Sequence, residues 1–202
     1  MYGDFEYYKW SEKINRRYSI RHGYEHVISR EIPRNDRHVT WHKIPVILSE
    51  LHDCDYLLWT DADTFFYSQE LKIERELLPL IGEFPILCPP DIVSEKKRWN
   101  PDVPCSGVML LKNCETSREI FEYWNTVSEI DEESRWRWPP EQIALWKIVL
   151  PLYGNNIKVL EDYYVMNGIY SQYIRHLPRL TDEERTNTMK TFFTERLEGI
   201  EL

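Results

Sequence analysis

The chain has 202 residues and a mass of 24.5 kDa, enough for one well-buried domain and too little for two of comfortable size. Its net charge of −9 and pI of about 5.2 argue against a nucleic-acid binder that relies on phosphate contacts. No run approaches the roughly 18 apolar residues of a membrane span, the N-terminus lacks an apolar signal core, and Cys54, Cys88, Cys105 and Cys114 show no C-x-x-C spacing. The cysteines read as reduced thiols and the chain as intracellular. Aromatic residues make up 14% of the chain, a supply that suits sugar stacking, although core and surface filling accounts for most of them.

Phe5 to Arg21 reads as a helix with Phe5, Tyr8, Ile14 and Tyr18 on one face, stopped at Gly23. Tyr24 to Ser29 is a short strand candidate, and the charged stretch from Arg30 to His38, which holds Pro33, is a loop. Ile44, Ile47, Leu48 and Leu51 then recur at helical spacing, with Pro45 suited to the first helical position. Lys43 therefore sits at a helix N-terminus, where it opposes the dipole. Periodicity alone makes it a solvated lysine; a nearby anion would give it a place in a site.

Tyr56 to Trp59 is an apolar run of the kind that forms a central strand buried on both faces. It stops at Asp61 and Asp63. Ionised carboxylates at a strand end are costly to desolvate without a compensating partner, and ligands of open α/β sheets sit beyond the carboxyl ends of the strands. Two hard oxygen ligands at that spacing suit Mg²⁺ or Mn²⁺ bridging substrate phosphates. An ordinary strand-ending turn is the competing reading.

Glu70 to Ile81 reads as a helix with Ile73, Leu77 and Leu80 inward, and Phe84 to Cys88 as a strand stopped by Pro89-Pro90. Asp91 to Pro104, with Lys96-Lys-Arg98, reads as a polar mobile loop that is either solvated or folds over a phosphate. Cys105 to Lys112 is a strand in which Gly107 marks close approach of backbone or ligand. A helix follows over Glu115–Ile130 with Ile120, Trp124 and Val127 inward, then a loop to Trp138. Pro139-Pro140 opens a helix through Tyr153 with Glu141 and Gln142 in its first turn, and Ile157 to Leu160 is a strand. Tyr163 to Leu180 is irregular and contains His176, which taken alone reads as structural. Thr181-x-x-Glu184 is a capping box that opens a terminal helix running toward Leu197. The alternation of strands and helices predicts one α/β layered domain over residues 1–202.

Four pieces, in order, resemble the motif series of glycosyltransferase family 34: Trp41-His-Lys-Ile-Pro-Val-Ile47, Tyr56-Leu-Leu-Trp-Thr-Asp-Ala-Asp-Thr-Phe-Phe66, Ser106-Gly-Val-Met-Leu-Leu-Lys-Asn113 and Glu141-Gln-Ile-Ala-Leu145. The resemblance implies a GT-A (Rossmann-like) fold with a central mixed sheet flanked by helices. It further implies a nucleotide-diphospho-sugar donor (UDP ahead of GDP), a glycan or glycoprotein acceptor, Mn²⁺ or Mg²⁺, and retention of anomeric configuration. The metal ligands map onto Asp61, Asp63 and His176, with Leu-Pro after His176 where the family usually has an aromatic residue and Gly. Gln142 maps near the anomeric carbon, with Glu141 beside it. Lys43, Asp61, Asp91, Arg98, Asp102, Ser106 and Gly107 are the candidate donor contacts. The compact length and missing anchor depart from Golgi members and point to a viral or bacterial version, a chlorovirus transferase among them, acting in the cytoplasm (the host's, if viral). Only Met1-Tyr-Gly3 precedes the first helix, so the nucleotide-binding strand that opens the family's fold is either short or trimmed here, which leaves the nucleoside-binding residues unassigned.

Two other classes compete. The Asp61-Ala-Asp63-Thr64 run also looks like the first motif of haloacid-dehalogenase-like phosphatases, with Asp61 as nucleophile. That family requires a later acidic motif, typically Gly-Asp, and the only Gly-Asp here is Gly3-Asp4. A carbohydrate-binding module without turnover is the non-enzymatic reading.

Overall fold

A computed structural model describes residues 5–30, 36–92, 99–130, 135–136 and 139–200, with the side chains of 92 and 99–102 left undescribed. The main sheet has four strands in the order β1-β6-β3-β7, formed by Tyr56–Thr60 (β1), Val108–Lys112 (β6), Ile86–Cys88 (β3) and Ile157–Val159 (β7). β6 runs antiparallel to both β1 and β3, while β3 and β7 are parallel, so the sheet is mixed. A second sheet joins β2 (Thr64–Phe66), β9 (Ile174–His176) and β8 (Met166–Gly168), and a hairpin joins β4 (Pro90–Ile92) to β5 (Trp99–Pro104). The expected α/β fold with a central mixed sheet flanked by helices is present.

The strand pleat explains why β6 is apolar throughout. Met109 and Leu111 point to one face, with α2 (Lys43–Glu50), α5 (Glu115–Ile130) and the segment 145–149, through Trp41, Ile44, Ile47, Trp124 and Leu145. Val108 and Leu110 point to the other face, against Leu77, Ile81, Met166 and Tyr173. A third cluster packs α1 (Glu6–His22) against α8 (Asp182–Arg196) over β2, through Ile14, Phe65, Met189 and Phe193. The expected capping box closes the start of α8, the Thr181 side chain accepting from Glu184 N–H while Glu184 reaches back.

Several elements differ from the sequence expectation. β1 is an edge strand and only partly buried; β6 holds the central place. An apolar run marks packing against neighbours of any kind: Leu57 and Trp59 pack on the cluster at one face of the sheet and Leu58 on the cluster at the other. Tyr24 to Ser29 forms no strand: Val27 and Ile28 are exposed, and Tyr24 Oη is tied to Glu74 and Ile73 N–H. The expected helix over 70–81 is two short ones, α3 (Ile73–Glu76) and α4 (Leu78–Ile81), because Pro79 lacks the N–H an uninterrupted helix requires. The helix from Pro140 also breaks, into α6 (Pro140–Ala144), a π-helical turn at Leu145–Val149 and α7 (Leu150–Tyr153), where Pro151 has the same effect. Parts of both expected irregular stretches, 91–104 and 163–180, are strand.

Candidate functional site

β1 ends where the sequence places the two carboxylates. Asp61 N–H still donates to Gly107 O at 2.8 Å, and Asp61 O then accepts from Thr64 N–H at 3.0 Å and Thr64 Oγ1 at 2.6 Å. This tight turn sends the chain into β2 and leaves Asp63 at its tip. β2 pairs with β9 so that Thr64 lies opposite His176, which puts the imidazole beside Asp63: Nε2 is 3.2 Å from Oδ1. One ligand atom from each of Asp61, Asp63 and His176 lies within 4.8 Å of the others. Two carboxylate oxygens and one imidazole nitrogen form a donor set that fits Mn²⁺ or Mg²⁺.

Lys43 is not solvated. It is 4% exposed, and Nζ lies 3.0 Å from Asp61, 3.2 Å from Glu141 Oε1 and 3.2 Å from Ser106 O. Burial opposes its charge, but Asp61 and Glu141 outweigh that and hold Lys43 above the usual lysine range. Glu141 sits below the usual carboxylate range: burial raises it, and Lys43 more than offsets the effect. Trp59 Nε1–H donates to Asp61 Oδ1 at 2.7 Å, so both oxygens of Asp61 are engaged. Helical periodicity placed Lys43 correctly at the first turn of α2, but which anions face that turn is a tertiary matter.

His176 is clamped on all sides. Its Nδ1–H donates to Asn167 Oδ1 at 2.5 Å, and Asn167 is fixed by Nδ2 donating to Pro90 O at 2.7 Å. Asn167 is buried and holds a left-handed backbone with φ 86°, a conformation that asparagine tolerates better than most residues. The arrangement leaves Nε2 directed at Asp63 and able to ligate once its proton is lost. Burial disfavours charge on the ring, yet the Asp63 carboxylate outweighs it and holds His176 well above the ordinary imidazole range. Asp63 is correspondingly held below the usual carboxylate range, burial being overcome by His176 and by Arg185. Arg185 and Asn167 are the two residues that the sequence reading missed. Arg185 Nη2 is 3.3 Å from Asp63 Oδ2, and Arg185 is braced by Leu177 O, Pro178 O and Asp182. Its position at N4 of a capped helix carries no signal of that contact.

Gly107 is the close approach the sequence suggests, and its neighbour is the His176 ring. A Cβ there would lie 2.4 Å from Cε1 and 2.9 Å from Nε2. Gly107→Ala must therefore displace the ring from its place beside Asp63 or shift the backbone that carries the new Cβ. The expected result is a drop of about tenfold or more in divalent-cation affinity with the fold retained, read by calorimetry and circular dichroism. Unchanged affinity would show that the ring is not the ligand.

Gln142 joins the site through Ser106. Its Oε1 accepts from Ser106 N–H at 2.9 Å and Ser106 Oγ at 3.1 Å, and its Nε2 donates to Asp91 Oδ2 at 3.1 Å. Ser106 Oγ also lies 3.1 Å from Glu141 Oε1. Lys43, Asp61, Asp63, Asp91, Ser106, Gly107, Glu141, Gln142 and His176 thus form one connected cluster. Arg98 lies outside the described residues, as does the side chain of Asp102.

Comparison with known proteins adds to this geometry. The model of the galactosyl transferase GMA12/MNN10 family matches residues 3–84, a span that runs from α1 past both aspartates. Over that span the chain is similar to the glycosyltransferases of this family. Its fold is shared with the crystal structure of a glycosyltransferase involved in glycosylation of the major capsid of PBCV-1. That match has a TM-score of 0.73 at 15% identity and covers 94% of this chain and 95% of that one. No curated protein matches this chain in sequence. The phosphatase reading gains no match in these comparisons, and the geometry does not favour it. Asp61, the nucleophile it required, has both oxygens occupied by Lys43 and Trp59. No helix among the described residues is long and apolar enough to cross a membrane.

Proposed function

We propose that this protein is a glycosyltransferase that moves a hexose-type sugar from a nucleotide-diphospho-sugar, UDP in preference to GDP, to a hydroxyl of a glycan or glycoprotein, with retention and with Mn²⁺ or Mg²⁺ as cofactor. The observation that carries the reading is the Asp61–Asp63–His176 cluster at the end of an apolar strand, flanked by the fixed cations Lys43 and Arg185. A divalent ion held by those three residues supplies Lewis acidity toward the departing diphosphate.

The chain's own residues set the rest. Lys43 and Trp59 orient Asp61, while Arg185 and the Asn167–His176 pair orient Asp63 and the imidazole. Because these side chains are already held in place, little reorganisation is needed as charge builds on the leaving group. Lys43, Asp91, Asp102, Ser106, Gly107 and Arg98 are proposed to face the donor. Gln142 and Glu141 are proposed near the anomeric carbon. Gln142 Oε1 is engaged by Ser106 in the free protein, so service there requires it to release at least one of those bonds. The whole chain is taken as one transferase domain that works in the cytoplasm, of the host if the gene is viral.

The test is a panel of UDP- and GDP-sugars titrated with and without Mn²⁺, followed by slow hydrolysis of the bound donor. Binding and hydrolysis that need the metal and favour one UDP-hexose support the proposal. Equal behaviour with and without metal across the panel overturns it.

A further inference from the structure

A cleft of about 840 Å³ opens between α1, the segment after β2 and α8, away from the cluster above. Arg17, Arg21 and Arg196 line it together with Gln69, Tyr67 and Phe192. On a chain of net charge −9, three arginines around one cleft are a local reversal of sign. Glu70 pairs with Arg21. Arg17 gives Nη2–H only to Ile200 O, at 2.7 Å, and Arg196 has no carboxylate partner among the described residues. A cation in the last turn of α8 complements the helix dipole, which accounts for Arg196 but for nothing else in the cleft.

Two of the lining residues each carry a polar atom without a protein partner. Arg17 Nε is a buried donor without an acceptor, and Gln69 Oε1 is a buried acceptor without a donor. Gln69 is 7% exposed and otherwise fixed, its Nε2 donating to Phe66 O at 2.7 Å and its main-chain oxygen paired with His22 at 2.9 Å. A hydroxyl both donates and accepts, so it can serve either atom; a carboxylate or phosphate suits the uncompensated arginines. Tyr67 is not open for stacking, because the Arg175 guanidinium lies 3.3 Å from its ring centre.

We propose that the cleft is an accessory subsite for an anionic saccharide, with hydroxyls against Gln69 and Arg17 and the anionic group against Arg196. This deepens the glycan-acceptor reading and rests on it. Arg185, at Asp63, and Arg196 are eleven residues apart on one helix, about 16 Å at 1.5 Å per residue. An extended acceptor that spans this distance reaches the transfer centre while keeping an acidic unit here.

Calorimetry with the full chain, without donor or metal, tests it using trigalacturonate, maltotriose and inorganic phosphate. Trigalacturonate is expected to bind at least about tenfold more tightly than maltotriose, and Arg196→Glu to weaken it about tenfold or more. Arg196 is exposed, so the variant should fold; Arg196→Gln, with a smaller expected loss, carries the test if it does not. Equal affinity of wild type and variant, or of the acidic and neutral trisaccharides, overturns the proposal. Phosphate binding more tightly than trigalacturonate, with the same dependence on Arg196, would make this a free-phosphate site and also overturn it. Since neither donor nor metal is present, the result stands apart from whether the transfer reading survives.

Discussion

Asp63→Asn is expected to abolish divalent-cation binding and to lower metal-dependent donor turnover about a thousandfold, with the chain still folded. The substitution keeps the shape of the side chain and removes its charge, so it separates ligation from packing. It also leaves His176 and Arg185 facing a neutral amide at the positions where they now lie 3.2 and 3.3 Å from carboxylate oxygens. The pH dependence follows from the two shifts. His176, raised in the folded state, stabilises the metal-free protein fully below the ordinary imidazole range, and that contribution is lost as pH rises through its folded value. Asp63, depressed in the folded state, contributes above the ordinary carboxylate range and loses its contribution as pH falls through its folded value. The pair is therefore most stabilising between those limits, and the alkaline loss should flatten in Asp63→Asn. Metal binding must displace the Nε2 proton, so affinity should rise with pH in the wild type. Unchanged affinity and turnover in the variant would remove Asp63 from the metal site.

Lys43→Met is expected to cost about 3–5 kcal/mol of stability, because it strands Glu141 as an unpaired buried carboxylate beside Asp61. For a chain of this length, that is a fall of roughly 10 °C or more in Tm. Glu141 is 3% exposed and cannot recover its hydration, so it should take up a proton instead, and the variant's deficit should shrink as the pH is lowered. Adding Glu141→Gln to Lys43→Met should restore part of the loss, a coupling that a double-mutant cycle measures. A loss below about 1 kcal/mol, the cost typical of an exposed ion pair, would mean that Lys43 is the solvated lysine its helix pattern alone suggests.

The sequence by itself determined what depends on local pattern. The period-3.6 faces of α1, α2 and α5, the capping box of α8, and the apolar run ending at Asp61 and Asp63 are each contained in a short window of chain. His176 entered the candidate metal set through family resemblance, since nothing around it in sequence marks a ligand. Tertiary structure decided everything that needs two distant windows to meet. It put β6 rather than β1 at the centre of the sheet, since burial in sequence does not say whether a strand or a helix supplies the cover. It turned Lys43 inward onto Asp61 and Glu141 across separations of 18 and 98 residues. Asn167 and Arg185 reached the site only because β2 pairs with β9 and α8 packs beside them, contacts set by registers that no local spacing encodes. Local propensity selects the elements; the charges that face one another across them are fixed by the packing of remote surfaces.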